Sequence, residues 1–128
     1  MIILLDTCEF LWLTNGDPQL SDSVATAVAS PDNNVYLSVV SFWEICIKHA
    51  LGKLPLPQPP ALYVPLQRQR HGIDVLNLHE EAVARLPHLP VHHKDPFDRM
   101  LICQAQAYKM HLASSDPKIH SYPVTILK

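Results

Sequence analysis

Residues 1–13 read MIILLDTCEFLWL. Four consecutive aliphatic residues, Ile2-Ile3-Leu4-Leu5, end abruptly in an acid, Asp6, and a second apolar run follows. A continuous, partly β-branched run of four has no helical phase and no polar alternation. It reads as a strand buried on both faces, as in a parallel sheet. The run is too short to span a bilayer, has no basic start, and is interrupted by Asp6 and Glu9, which excludes a membrane segment.

The same grammar recurs along the chain. Helices are expected over 7–14, over 22–29 with Ser21 as cap, and from Ser41 to about Leu51, closed by Gly52. Further helices are expected over 61–70, 79–86, from Asp95-Pro96 to about Met110, and as a short turn at 117–121. Val35–Ser38, 73–76, 111–114 and 124–127 read as strands. Leu54-Pro55-Leu56-Pro57-Gln58-Pro59-Pro60 is an extended connector. Strands alternating with helices imply an α/β fold with a parallel sheet covered by helices on both faces. With 128 residues, 48% of them hydrophobic and 17% charged, the chain is read as one domain, 1–128, with a real core.

Asp6, Glu44, Asp98 and Asp116 each lie at or just past the end of an apolar run. In open α/β sheets, ligands bind at the carboxyl edge of the strands. Carboxylates gathered there repel one another unless a hard cation sits among them. Each acid has a plainer role as well. Asp6 can cap the helix from Thr7, Ser41 and Glu44 can form a capping box, and Asp98 suits the first turn of a helix capped by Asp95. Asp116-Pro117 repeats the cap-proline arrangement. Lys48, four residues after Glu44, can supply a counter-charge. What capping does not require is that all four acids fall at the same end of their elements.

The formal charge is −2, so no general basic footprint for nucleic acid exists. The three cysteines, Cys8, Cys46 and Cys103, have no paired spacing and read as reduced core residues of a cytoplasmic protein. Trp12 and Trp43 lie in helices and read as core rather than as base-stacking platforms.

LLDT at 4–7, SFWEICIKHALGKL at 41–54, HHKDPFDRMLICQA at 92–105 and SSD at 114–116 together resemble a PIN domain. They are most similar to ribonuclease toxins of the VapC type, in the subgroup with a DPFDR motif. The resemblance implies a three-layer α/β/α sandwich around a parallel sheet of about five strands. It implies Mg²⁺- or Mn²⁺-dependent hydrolysis of RNA phosphodiesters, with Asp6, Glu44, Asp98 and Asp116 as metal-binding and catalytic acids. It further implies a cognate antitoxin and a homodimer. Ser114 stands where the family often has threonine. Glu9 receives no role, and Asp95 is read as a cap. Lys48, Lys94 and Arg99, with Lys53 and Lys118 behind them, are candidates for RNA phosphate contacts. Arg99 also stands four residues after Asp95, at salt-bridge spacing, and His92-His93 can line the site mouth. Two other readings remain open: a different divalent-metal phosphohydrolase, and a non-catalytic PIN-like binding module. An Asp-x-Asp phosphatase signature is absent, since Cys8 follows Asp6-Thr7.

Overall fold

The computed structural model describes all 128 residues. Five strands, β1 (Ile2–Leu5), β2 (Asn34–Ser38), β3 (Ile73–Leu76), β4 (His111–Ala113) and β5 (Ile126–Leu127), form one sheet in the order β3-β2-β1-β4-β5. Every pair is parallel. The sheet therefore winds one way from β1 through β2 to β3, and the other way through β4 to β5. The reversal lies between β1 and β4, where Leu5 is in register with Ala113.

The side chains of β1 alternate between two cores. Ile3 and Leu5 pack with Phe10 of α1 (Thr7–Asn15), Val24 and Val28 of α2 (Asp22–Ala29), Ile45 of α3 (Val39–Ala50) and Tyr63 and Val64 of α4 (Pro60–His71). Leu4 packs on the opposite face with Leu101 and Ile102 of α6 (Pro96–Ala107) and Ile119 of α7 (Pro117–His120). A short helix, α5 (Glu80–Val83), packs against α6. The result is the expected α/β/α sandwich. Leu54 and Leu56 of the proline-rich connector pack against the first core. No helix is long and apolar enough to cross a membrane.

Several element boundaries differ from expectation. The third helix begins at Val39, and Ser38 is its cap, accepting the Val40 amide at 3.0 Å. Ser41 therefore lies inside the helix and forms no capping box with Glu44. The expected helix over 79–86 stops at Val83, and Leu86-Pro87-His88 forms a 3-10 turn, because Pro87 has no amide to continue an α-helix. The helix from Pro96 ends at Ala107 rather than Met110. Lys109 turns into the left-handed region at φ 53°, and the Met110 amide folds back onto the Ala105 carbonyl at 2.9 Å. The last strand shrinks to Ile126–Leu127, since Val124 bonds back to Tyr122.

One buried polar bridge fixes the two helices that matter most below. Ser38 donates its hydroxyl to Gln104 Oε1 at 2.6 Å, tying the end of β2 and the start of α3 to α6. Gln104 is fully buried and its Nε2 donates to the Asn77 carbonyl at 3.3 Å, so without Ser38 its Oε1 alone would be left unpaired, which is costly.

Candidate active site

The four acids singled out from sequence all line one cavity of about 360 Å³ at the carboxyl edge of the sheet. Asp95 and Lys48 line it too, as do Thr7, Cys8, Trp12, Ser115 and Pro117. Five carboxyl groups thus face a single ammonium group. The cavity stands beside the crevice between β1 and β4, where the Asp6 amide donates to the Ala113 carbonyl at 3.0 Å. Such a reversal point is where open α/β sheets bind ligands.

Asp6 follows β1 directly and caps α1, accepting the Glu9 amide at 2.8 Å. Its side chain is almost wholly buried, and burial pushes its pKa up to about 7. The Glu9 amide and Ser114 hydroxyl pull it back in part, while the charges of Glu9 and Asp98 push it further up. Glu44, in the second turn of α3, is equally buried but fully engaged. Thr7 donates its hydroxyl to Glu44 Oε1 at 2.6 Å and lies 3.0 Å from Ser41 Oγ. Lys48 reaches Glu44 Oε2 at 2.6 Å, the pairing expected from their spacing, and that hydrogen bond raises the lysine's pKa.

Asp98 sits in the first turn of α6. Asp95 caps that helix by accepting the amides of Phe97 at 2.9 Å and Asp98 at 3.0 Å. Burial raises the Asp98 pKa; the His93 hydrogen bond lowers it, and the charges of Asp95 and Glu44 raise it again. His93 Nε2 lies 3.1 Å from Asp98 Oδ2, so this histidine does stand at the site. Burial pulls its pKa down, but Tyr122 and Asp98 outweigh that and leave it raised. Asp116 follows β4 through Ser114 and Ser115. It caps α7 by accepting the Lys118 amide at 2.9 Å, and its own amide donates to Ser114 Oγ at 3.2 Å.

The basic candidates divide. Lys48 faces the acids, whereas Lys94 and Arg99 line a neighbouring apolar pocket. Arg99 makes no ion pair with Asp95; its guanidinium donates to the Pro90 carbonyl at 2.7 Å and to the Tyr122 hydroxyl at 3.0 Å. Lys53 and Lys118 line neither pocket. Cys8 is exposed rather than part of the core. Burial of its sulfur and the charges of Asp6 and Glu44 push its thiol up to about 11, so it is no thiolate nucleophile. Trp43 is 59% exposed, again against the core reading. Glu9, given no role from sequence, is fully buried and accepts the Ser115 hydroxyl at 2.7 Å. Its only sequence signal is a carboxylate three residues after Asp6 on a helix that must pack against the sheet.

An all-oxygen donor set suits a hard cation such as Mg²⁺ or Mn²⁺. No three of the histidine, cysteine, aspartate and glutamate side chains stand close enough together to hold a metal ion among themselves. Mg²⁺ suits such an open arrangement, because it retains several waters and uses one or two carboxylates.

A parallel α/β sandwich with a carboxylate-lined cavity at its reversal point defines the class. The chain belongs to the PIN domain family, which it matches over residues 3–124. It is similar to ribonuclease VapC16 of Mycobacterium tuberculosis, with 48% identity over 46 residues. That match spans 36% of this chain and 33% of VapC16, about a third of each. The fold is that of VapBC2 from Rickettsia felis, solved bound to a DNA fragment from its promoter: 15% identity, TM-score 0.75, covering 100% of this chain and 98% of that one. FitAcB from Neisseria gonorrhoeae is also similar in fold, at 20% identity and TM-score 0.64, covering 98% of this chain and 96% of that one.

Proposed function

We propose that this protein is a Mg²⁺- or Mn²⁺-dependent endoribonuclease that hydrolyses RNA phosphodiesters, the toxin of a toxin–antitoxin pair. The observation that carries the reading is the convergence of five carboxyl groups on one cavity with a single lysine. Burial, with the charges of Glu9 and Asp98 behind it, holds the Asp6 carboxyl up to about 7, so a bound cation would favour its charged form. Asp6, Asp98 and Asp116, with Glu44, are the residues that would hold the metal. When bound, a divalent ion lowers the pKa of a water and offsets charge growing on the phosphate oxygens.

The chain's own residues supply the rest. Thr7 and Lys48 fix both oxygens of Glu44, so that carboxylate cannot swing away from the cavity. His93 orients Asp98, and the Asp95 cap sets the helix that carries it. Lys48 is the one cation facing the acids and can meet a phosphate oxygen there. No serine or cysteine nucleophile is needed. Support for the toxin reading comes from the likeness to VapC16 and to the chains of VapBC2 and FitAcB. A cognate antitoxin would find exposed apolar side chains on and between α3 and α4, among them Ile47, Leu51, Leu62 and Leu66, and a homodimer is the expected assembly.

Cleavage of end-labelled single-stranded and structured RNA in Mg²⁺ tests the proposal. Asp6→Asn and Asp98→Asn should each lose more than the about 10–100-fold that removal of a residue merely supporting a ligand costs. EDTA should abolish wild-type cleavage. A variant cleaving at near the wild-type rate overturns the site, and cleavage undiminished in EDTA overturns the metal. Turnover of small phosphomonoesters instead of RNA would favour a different phosphohydrolase.

A further inference from the structure

Beside the acidic cavity lies an apolar pocket of about 260 Å³ whose walls include Trp43, Phe97, Leu78 and Leu86. Its two charged lining residues are Lys94 and Arg99. Trp43 and Phe97 meet edge to face, with centroids 5.1 Å apart and planes at 81°. Trp43 nevertheless remains 59% exposed, so much of its ring is open to a ligand.

We propose that this pocket receives an unpaired base of the RNA substrate, next to the phosphate held at the acidic cavity. The proposal rests on the ribonuclease reading and adds a substrate subsite to it. Three observations carry it. First, the pocket and the cavity share the same two elements: Trp43 directly precedes Glu44 on α3, and Phe97 lies between Asp95 and Asp98 at the start of α6. Second, an exposed indole beside a second aromatic ring is the chemistry of a base-stacking platform, which serves single strands without reading sequence.

Third, the pocket's charge complements a nucleotide. The only ion pairs in the protein are Lys48–Glu44 and His93–Asp98, so Lys94 and Arg99 carry uncompensated positive charge. Arg99 is held in place by the Pro90 carbonyl and Tyr122 hydroxyl, neither of which neutralises it. An apolar protein side chain filling the pocket would desolvate two unpaired cations, which is costly. A nucleotide fills it with an apolar face and brings its own phosphate.

The test uses the full chain carrying Asp6→Asn, which should bind RNA without cutting it, in Mg²⁺. Its affinity for a fluorescein-labelled single-stranded oligoribonucleotide is read by anisotropy. Adding Trp43→Ala should weaken binding about ten- to a hundred-fold, the loss of one stacking platform, while Trp43→Phe should retain most of it. One abasic nucleotide in the oligonucleotide should reproduce the loss with Trp43 present and cost nothing in Trp43→Ala. Lys94→Gln, at an exposed position, should flatten the slope of log affinity against log salt by about 0.7, one phosphate contact on a single strand. Unchanged affinity in both Trp43→Ala and Lys94→Gln overturns the subsite while leaving the nuclease reading intact. Normal RNA binding by Trp43→Ala with lost antitoxin binding or lost dimerisation would make the pocket a protein contact and also overturn it. A parent that binds no RNA would overturn both readings together.

Discussion

Ser115 donates its hydroxyl to Glu9 Oε1 at 2.7 Å, joining two residues 106 positions apart in sequence. The bond ties α1, which Asp6 caps, to the loop that carries Asp116. It spans the reversal point of the sheet, where β1 and β4 pair through backbone hydrogen bonds but are not consecutive in the chain. Glu9 is fully buried and its Oε2 has no partner, so Ser115 is the one side chain satisfying this carboxyl.

Ser115→Ala should therefore remove the one side-chain partner of Glu9, leaving only the Ser115 amide beside it, and destabilise the fold by about 1–3 kcal/mol. Glu9→Met, which removes the buried acid and fills its space, should cost less than Ser115→Ala or raise stability. Urea unfolding of the two variants decides the matter. If Ser115→Ala unfolds at the wild-type midpoint, the link carries no folding energy.

Asp6 should make stability depend on pH and, on the proposed function, on metal. Its pKa rises from an ordinary 3.8 to about 7 on folding. Below the lower value both states hold the proton and nothing is lost. As pH rises towards 7 the unfolded chain releases its proton while the fold keeps it, so the metal-free fold loses stability, on the order of a few kcal/mol at most. Asp6→Asn caps a helix as well as Asp does and has no charge to bury. In EDTA at pH 8 it should melt above wild type, and the difference should close by about pH 4. Mn²⁺ should raise the wild-type melting temperature by mass action and leave the variant nearly unmoved. A variant that melts below wild type in EDTA, with no metal response in wild type, would mean that Asp6 is only a cap.

Tyr122 is the hub of the segment leading into α6. Its hydroxyl accepts the amides of His92 and His93, each at 3.1 Å, and the Arg99 guanidinium at 3.0 Å. Burial raises its pKa, but hydrogen bonds from His93, Arg99 and His92 outweigh that and bring it down to about 8. Tyr122→Phe keeps the ring and removes every one of these acceptor contacts. It should destabilise the protein by about 1–3 kcal/mol and speed hydrogen exchange at the His92 and His93 amides. Unchanged exchange there would show that the segment is held by other contacts.

The sequence carries the strands and the acids well where local chemistry is unambiguous. Ile2–Leu5 has no competing helical phase, and Asp95-Pro96 admits only a helix start. It carries the start of α3 poorly, because Ser38 and Ser41 are both competent caps three residues apart. The choice falls to Ser38, which is in register with Leu76 as the last residue of β2 and also bonds Gln104. The end of α6 is similarly hidden: no glycine marks it, and a lysine takes the left-handed turn. Composition cannot tell which way an apolar side chain points once its helix is placed. Trp43 and Cys8 therefore read as core from sequence, although both open to solvent. The separation of Lys48 from Lys94 and Arg99 depends on the packing of α3 against α6, a long-range relation with no local signal.

On the proposed function, the winding order of the sheet also bears on when the protein becomes dangerous to the cell that makes it. Asp6, Glu44 and Asp98 are synthesised before β4, yet β4 must pair with β1 to bring Asp116 to the cavity. A nascent chain that has not yet produced β4 lacks both the fourth acid and the Ser115 tie to Glu9. On the proposed function, the ribosome releases no cutting activity while the message is only partly read. On the same reading, a cognate antitoxin would have to meet finished chains alone.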